Sequence, residues 1–126
     1  MVSQNYAKIW RAIRERMQIT SEYQARYREA YPIILGYSAE GQERVLVFQV
    51  GGQTSGRSKL PGWRSFDLAG LRDLKLRKAP FIEGNRHTRT QSLIRFVDVD
   101  VNIPETLTRS VPLPFGSPEL RPPRER

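Results

Sequence analysis

Cationic side chains lie close to an aromatic ring between residues 57 and 64. Arg57, Lys59 and Arg64 surround Trp63 in the sequence. Cations neutralise phosphates and release counterions, and aromatic faces stack on nucleobases for about 1–3 kcal/mol per base. This combination predicts a surface for single-stranded nucleic acid. The alternative for Trp63 is a place in the core, and the alternative for Arg57 and Lys59 is a solvated loop.

Tyr31, Tyr37 and Gln49 are polar or amphipathic residues on predicted strands. In the mouth of a small barrel, such groups orient a bound ligand. They are therefore candidate ligand contacts. For each of them the alternative is that the side chain satisfies buried backbone groups.

The single histidine stands between arginines, in the run Arg86-His87-Thr88-Arg89. Arg86 and Arg89 are candidate contacts to an anion. His87 could start general acid–base cleavage of RNA, with the cations stabilising the transition state. The sequence places no second acid or base, so a basic surface loop is the preferred interpretation and no enzymatic activity is expected. A small ribonuclease using His87 stays as a lesser alternative.

Several other chemistries are excluded. The chain has no cysteine, which removes disulfides, thiolate metal sites and cysteine nucleophiles. Asp98 and Asp100 alternate on a predicted strand without a third acid nearby, so a solvated strand face explains them better than Mg²⁺ does. The glycines of residues 51–56 match neither a P-loop nor a dinucleotide-binding motif. We expect no metal ion and no cofactor.

The net charge of +8 over 126 residues is concentrated in one third of the chain. Residues 56–95 hold ten basic and three acidic side chains, a net charge of +7, and the other 86 residues carry +1. Such a concentration indicates a partner rich in phosphates. There is no apolar run near the roughly 18 residues of a membrane span and no signal-peptide core. A cytoplasmic protein without membrane association is expected.

The elements that must position these residues follow from periodicity. An apolar stripe through Tyr6, Ile9, Trp10, Ile13 and Met17 predicts an N-terminal helix. Alternating or apolar runs predict strands at residues 19–23, 27–31, 44–50, 63–68, 72–76 and 93–103. Short strands with glycine-rich turns indicate a small barrel or a tightly curled sheet. Six of the nine prolines follow residue 103, which predicts an extended or disordered tail.

A set of short motifs occurs in a characteristic order: Ala12-Ile13, Tyr31-Pro32, Leu35-Gly36-Tyr37, Val45–Val50 and Trp63-Arg64-x-Phe66-x-Leu68. Over about residues 8–82 this order resembles the WYL domain, here in a single-domain form without a winged helix-turn-helix. The name-giving Trp-Tyr-Leu is replaced by Val45-Leu46-Val47, and Gly70-Leu71 stands where the family often has Arg-Ile. The resemblance implies an SH3-like or Sm-like β-barrel of the kind found in bacterial transcription regulators and phage-defence accessory proteins.

The sequence therefore predicts a mainly β fold with one N-terminal helix, a small SH3/Sm-like barrel over residues 1–103 and a Pro-rich tail over residues 104–126. The expected function is nucleic-acid binding, to single-stranded RNA or DNA, as a regulatory or accessory module of a transcription or defence system. The alternative is a ligand-sensing or protein–protein interaction module that acts as a homodimer.

Overall fold

The computed structural model describes residues 1–54, 59–80 and 93–121. Its regular elements are helix α1 (Gln4–Glu15), strands β1 (Gln18–Tyr23), β2 (Arg26–Tyr37), β3 (Glu43–Gly52) and β4 (Gly62–Asp67), a 3₁₀ turn (Leu68–Gly70), strands β5 (Leu71–Arg77) and β6 (Phe96–Asp100), and a second 3₁₀ turn (Pro104–Leu107). The prediction of a mainly β chain with one N-terminal helix is confirmed.

Helix α1 forms where the apolar stripe predicts it. The hydroxyl of Ser3 caps its start by accepting a hydrogen bond from the backbone N–H of Tyr6 at 3.1 Å, which satisfies a donor that the first turn leaves open. Arg16 ends the helix in the left-handed conformation. Ile9, Trp10 and Ile13 on the stripe are buried against the sheet, so packing of one apolar face holds the helix in place.

Strand β2 is the centre of a six-stranded antiparallel sheet. The strand order is β4-β3-β2-β1-β5, and β6 pairs with β2 off this path. The first half of β2 pairs with β1, as in Ile19 opposite Ala30, and its second half pairs with β6, as in Leu35 opposite Val99. Two register shifts interrupt its pairing with β3. Such bulges bend a strand and increase its twist, so β2 can serve two neighbours in succession.

The sheet curls but is not a closed barrel. β4 and β5 lie at opposite ends of the strand order, although only the short 3₁₀ turn separates them in the chain. Tyr23 at the end of β1 reaches across to β4: its ring lies 4.5 Å from that of Phe66, and its hydroxyl accepts from the N–H of Asp67 at 3.1 Å. The expected closed barrel is therefore wrong. The 3₁₀ turn directs β5 to the edge of β1, and no ladder joins it to β4 in the described residues.

Apolar side chains pack on both faces of the sheet. The larger cluster lies between α1 and the concave face and includes Ile13, Val47 and Phe66. A second cluster around Ile33 and Leu46 covers part of the opposite face. A sheet covered on both faces explains why the central strands have nearly continuous apolar sequences.

Strand β6 is shorter than predicted, and its acids lie inside the protein. The expected strand at residues 93–103 is regular only over Phe96–Asp100. Asp98 and Asp100 are almost fully buried, which corrects the expectation that they form a solvated face. The Asp98 carboxylate accepts from the Tyr6 hydroxyl at 2.7 Å, from the N–H of Leu113 at 2.9 Å and from Arg109 at 3.4 Å. Burial raises its pKa, although these three donors oppose the shift.

The segment after residue 103 has little regular structure, as expected, but residues 104–121 are not a free tail. Leu113 is buried, and its carbonyl accepts a hydrogen bond from the Tyr37 hydroxyl at 2.6 Å. Arg121 forms a two-way backbone bridge with Val97 of β6. Proline removes donors from a ladder, so side-chain and isolated backbone contacts fasten this segment to the sheet instead.

We expect Tyr6→Phe to lower the free energy of unfolding by about 1–3 kcal/mol, because the buried Asp98 carboxylate loses a donor. The measurement is urea denaturation of the two proteins. Tyr27→Phe is the matched control, since this residue is exposed and its hydroxyl bonds to the Glu29 side chain at the surface at 3.0 Å, and its cost should stay within about 0.5 kcal/mol. Equal losses in both variants would contradict a central role for the Tyr6–Asp98 bond.

Candidate functional site

The loop and strand residues predicted to bind nucleic acid lie near one end of the sheet. Lys59 is exposed, and Arg64 folds back so that its guanidinium donates to the carbonyls of Trp63 and Lys59 at 2.8 and 3.1 Å. Gly62 makes room for this conformation, because a Cβ there would lie 2.7 Å from Nη1 of Arg64. Arg57 lies outside the described residues. The structure thus brings Lys59 and Arg64 together around Gly62.

Trp63 is half-buried on the face of the sheet opposite to α1. Its ring lies 5.0 Å from that of Phe48 and packs against the second apolar cluster. Part of the indole is therefore used for packing. That the exposed part of the Trp63 indole stacks on a nucleobase remains a prediction.

Tyr31 and Tyr37 have buried hydroxyls that bond inside the protein. Tyr31 donates to the carbonyl of Pro80 at 2.6 Å, and Tyr37 donates to that of Leu113 at the same distance. The Tyr37 ring stacks on Tyr6 with centroids 5.2 Å apart. Burial raises the pKa of Tyr37 to about 12. Both hydroxyls thus satisfy buried backbone carbonyls, which is the alternative interpretation given for Tyr31 and Tyr37.

Gln49 is fully buried and makes three hydrogen bonds. Its amide donates to the carbonyls of Gly51 and Gln53, each at 3.0 Å, and its oxygen accepts from Nη1 of Arg28 at 3.2 Å. Gln49 therefore fastens the end of β3 and positions an arginine. Arg86, His87 and Arg89 fall outside the described residues, so the predicted anion contacts and the ribonuclease alternative stay predictions.

A basic surface forms on edge strand β5. Alternation turns Arg72, Lys75 and Arg77 to solvent while the leucines between them face inward. Tyr27 belongs to the same face, because Tyr27 and Arg72 both stand opposite Glu22 of β1 in the pairing register. We call the surface of Tyr27, Arg72, Lys75 and Arg77 the outer face.

Three acids lie on or near the outer face: Glu22 is exposed between Tyr27 and Arg72, and Glu29 and Asp73 form ion pairs with its cations. Arg77 contacts Glu29 at 3.2 Å, and Lys75 contacts Asp73 at 3.7 Å. Side-chain exposures of 48% for Arg77 and 70% for Lys75 leave both cations accessible. Exposed pairs of this kind contribute roughly 0–1 kcal/mol, so a phosphate can compete for the same cations.

Sequence reasoning identified Arg64 but missed Arg26 and Arg28. We call these three residues, Arg26, Arg28 and Arg64, the arginine cluster. Arg28 is 5% exposed and lies over the rings of Tyr23 and Phe66, with its guanidinium carbon 5.6 and 5.5 Å from the centroids. Burial lowers the pKa of Arg28, and the charges of Arg26 and Arg64 lower it further.

The signal for this cluster is present in the strand alternation. Arg26 and Arg28 precede Ala30 at two-residue intervals, and Ala30 lies in the core, so all three side chains face inward. The same reasoning places Arg64 with the core ring of Phe66. An arginine at an inward position is unusual unless it is paired, and this departure from the pattern is what marks the site.

Two kinds of site are not found in the part of the chain that the structure describes. It contains no group of three or more His, Asp or Glu side chains able to hold a metal ion. It also contains no helix long and apolar enough to cross a membrane.

Comparison of the chain with protein-family models, with curated proteins and with solved structures finds no match.

Gln49→Met should lower the free energy of unfolding by about 2–3 kcal/mol, because two carbonyls and one guanidinium N–H lose their partner inside the protein. Urea denaturation measures this loss. Gln42→Met is the control, since Gln42 is exposed in the β2–β3 turn and its side-chain oxygen bonds only to Arg44. If the two variants are equally stable, Gln49 does not have the structural role described above.

Proposed function

We propose that the protein is a WYL-like, non-enzymatic cytoplasmic module that binds single-stranded nucleic acid through its outer face and serves a regulatory or defence system. The observation that carries this proposal is one surface on which Arg72, Lys75 and Arg77 project from an edge strand beside the exposed ring of Tyr27. A row of cations next to an aromatic platform suits a strand with phosphates on one side and unpaired bases on the other.

The charge distribution supports this proposal. Within residues 59–80 and 93–95, the described part of the basic segment, there are seven basic and two acidic side chains. Edge strand β5 carries four of the seven, counting Lys78 directly after it. Because β5 pairs only with β1 among the described strands, an extended polymer can approach these cations without displacing one of those strands.

The exposed ring supplies the second element of the proposed site. Tyr27 is 42% exposed, and its hydroxyl donates to Glu29, which also pairs with Arg77. This connection holds the ring beside the cations. Stacking on such a ring tolerates every base, which fits binding without a defined sequence.

The WYL resemblance and its SH3/Sm-like fold belong to the same proposal. A curled antiparallel sheet with an N-terminal helix is consistent with that expectation, although the sheet is open. The alternative of a ligand-sensing or protein-interaction module predicts binding that does not depend on salt and a partner that survives nuclease treatment. The ribonuclease alternative predicts RNA cleavage that His87→Ala abolishes.

The first prediction for this function concerns salt. Binding of a single-stranded oligonucleotide should weaken steeply as salt rises, and the double variant Arg72→Gln/Lys75→Gln should reduce the slope of log K against log[salt] by about 1.4. Fluorescence anisotropy over a salt series measures the slope. Arg11→Gln/Arg14→Gln removes the same charge from exposed positions on α1 and should leave the slope nearly unchanged. Equal slopes for wild type and the β5 variant would overturn the proposal.

The second prediction separates stacking from charge. Tyr27→Ala should weaken oligonucleotide binding by roughly 5- to 150-fold, the effect of losing one stacked base, while the salt slope remains that of the wild type. Tyr27→Phe keeps the ring but loses the bond to Glu29, and it should bind much more tightly than Tyr27→Ala, with a small loss relative to the wild type. If Tyr27→Ala binds as tightly as wild type at every salt concentration, the ring is not part of the interface.

A further inference from the structure

We propose that the arginine cluster, Arg26, Arg28 and Arg64, is a recessed site for a phosphate group. It faces the interior of the curled sheet, whereas the outer face is on the opposite side, so this inference does not depend on the proposed function. The ligand chemistry is a phosphate monoester, supplied either by a small phosphorylated molecule or by the 5′ end of a nucleic-acid strand.

The first argument is the charge balance around Arg28. Its Nη1 donates to the Gln49 side-chain oxygen and its Nη2 to the carbonyl of Tyr23, both at 3.2 Å, and both acceptors are neutral. Its Nε is buried and has no hydrogen-bond partner in the described part of the chain. A buried charge is normally paired with an opposite charge. Neutral acceptors and two aromatic rings therefore hold Arg28 in position, and no carboxylate among the described residues forms an ion pair with it.

The second argument is the nature of its neighbours. The charged groups that act on Arg28 are Arg26 and Arg64, and both disfavour its charged form. Arg64 donates to the carbonyls of Trp63 and Lys59, and Arg26 makes a long contact of 3.5 Å to the carbonyl of Gln24. The ion pairs found in the described residues include none of the three. Because no described carboxylate pairs with these three guanidiniums, an anion from outside could balance their charge.

The third argument identifies the anion. A phosphate monoester carries a charge of about −1.5 to −2 at neutral pH and has three acceptor oxygens. Arginine bonds to phosphate through a planar fork of donors. A carboxylate would neutralise one guanidinium and leave two, whereas a phosphate dianion balances most of the charge of the cluster. Arg26 and Arg64 are half-buried, so both are more accessible to a ligand than Arg28 is.

The test is calorimetric titration of the full chain with inorganic phosphate and with a nucleoside 5′-monophosphate, at constant ionic strength in chloride. We expect saturable binding to the wild type, and binding at least tenfold weaker in Arg28→Lys, which keeps the charge but loses Nε and the fork. Arg11→Gln is the control, because Arg11 is exposed on α1 outside both proposed sites, and it should bind phosphate like the wild type.

Arg64→Gln provides a second variant at a less buried position, in case Arg28→Lys does not fold by circular dichroism. It should weaken phosphate binding several-fold and leave the fold unchanged. The proposal is overturned if the wild type does not bind phosphate at constant ionic strength, or if Arg11→Gln weakens binding as much as the cluster variants do.

Oligonucleotides distinguish the two sources of the phosphate. If the ligand is a strand end, a 5′-phosphorylated oligonucleotide should bind the wild type more tightly than its 5′-hydroxyl form, and Arg28→Lys should remove the difference. If the ligand is a small molecule, the mononucleotide should bind while both oligonucleotides behave alike. Either result supports the phosphate site, and neither depends on the salt slope of the outer-face variants.

Discussion

The buried carboxylate of Asp98 needs hydrogen-bond donors, and two separate segments supply them. Tyr6 comes from α1, whereas the side chain of Arg109 and the N–H of Leu113 come from the C-terminal segment, residues 104–121. A buried carboxylate without donors is strongly unfavourable, so helix, strand and C-terminal segment must close on it together. The bond from Tyr37 to the Leu113 carbonyl adds the central strand to the same arrangement. This is why residues 104–121 wrap around the sheet.

Arg28 presents the opposite case within the same fold. Asp98 is matched by three donors, one of them cationic, whereas the hydrogen-bond acceptors of Arg28 in the described residues are a neutral amide and a carbonyl. The first arrangement is what a structural role requires, because the charge is balanced from within the chain. The arrangement of Arg28 lowers the stability of the fold unless a ligand balances its positive charge. Such a loss of stability is typical of residues that are kept for binding. The two buried charges thus separate the part of the molecule that holds the fold from the part that is available to a ligand.

The elements governed by simple periodicity could be predicted from the sequence, and those governed by buried polar groups could not. The apolar stripe of α1 and the alternation of β1, β4 and β5 place these elements within a few residues of their observed bounds. Asp98 and Arg28 have residue types that normally face solvent, so alternation alone assigned the first to a solvated face and gave no weight to the second. The closed barrel failed for a related reason, since pairing at sheet edges depends on a three-residue turn. The outer face was only partly foreseen: its cations lie in the basic segment, but Tyr27 joins them through strand register.

Leu113 fastens the C-terminal segment largely through its main chain. Its N–H donates to the Asp98 carboxylate, and its carbonyl accepts from the Tyr37 hydroxyl. Backbone groups are the same in every residue except proline, which lacks the N–H. The spacing between β6 and this position therefore constrains the segment more tightly than the identity of most side chains along it. Over evolutionary time such a stretch can change much of its composition while keeping its length, and insertions or deletions would be the changes that natural selection removes.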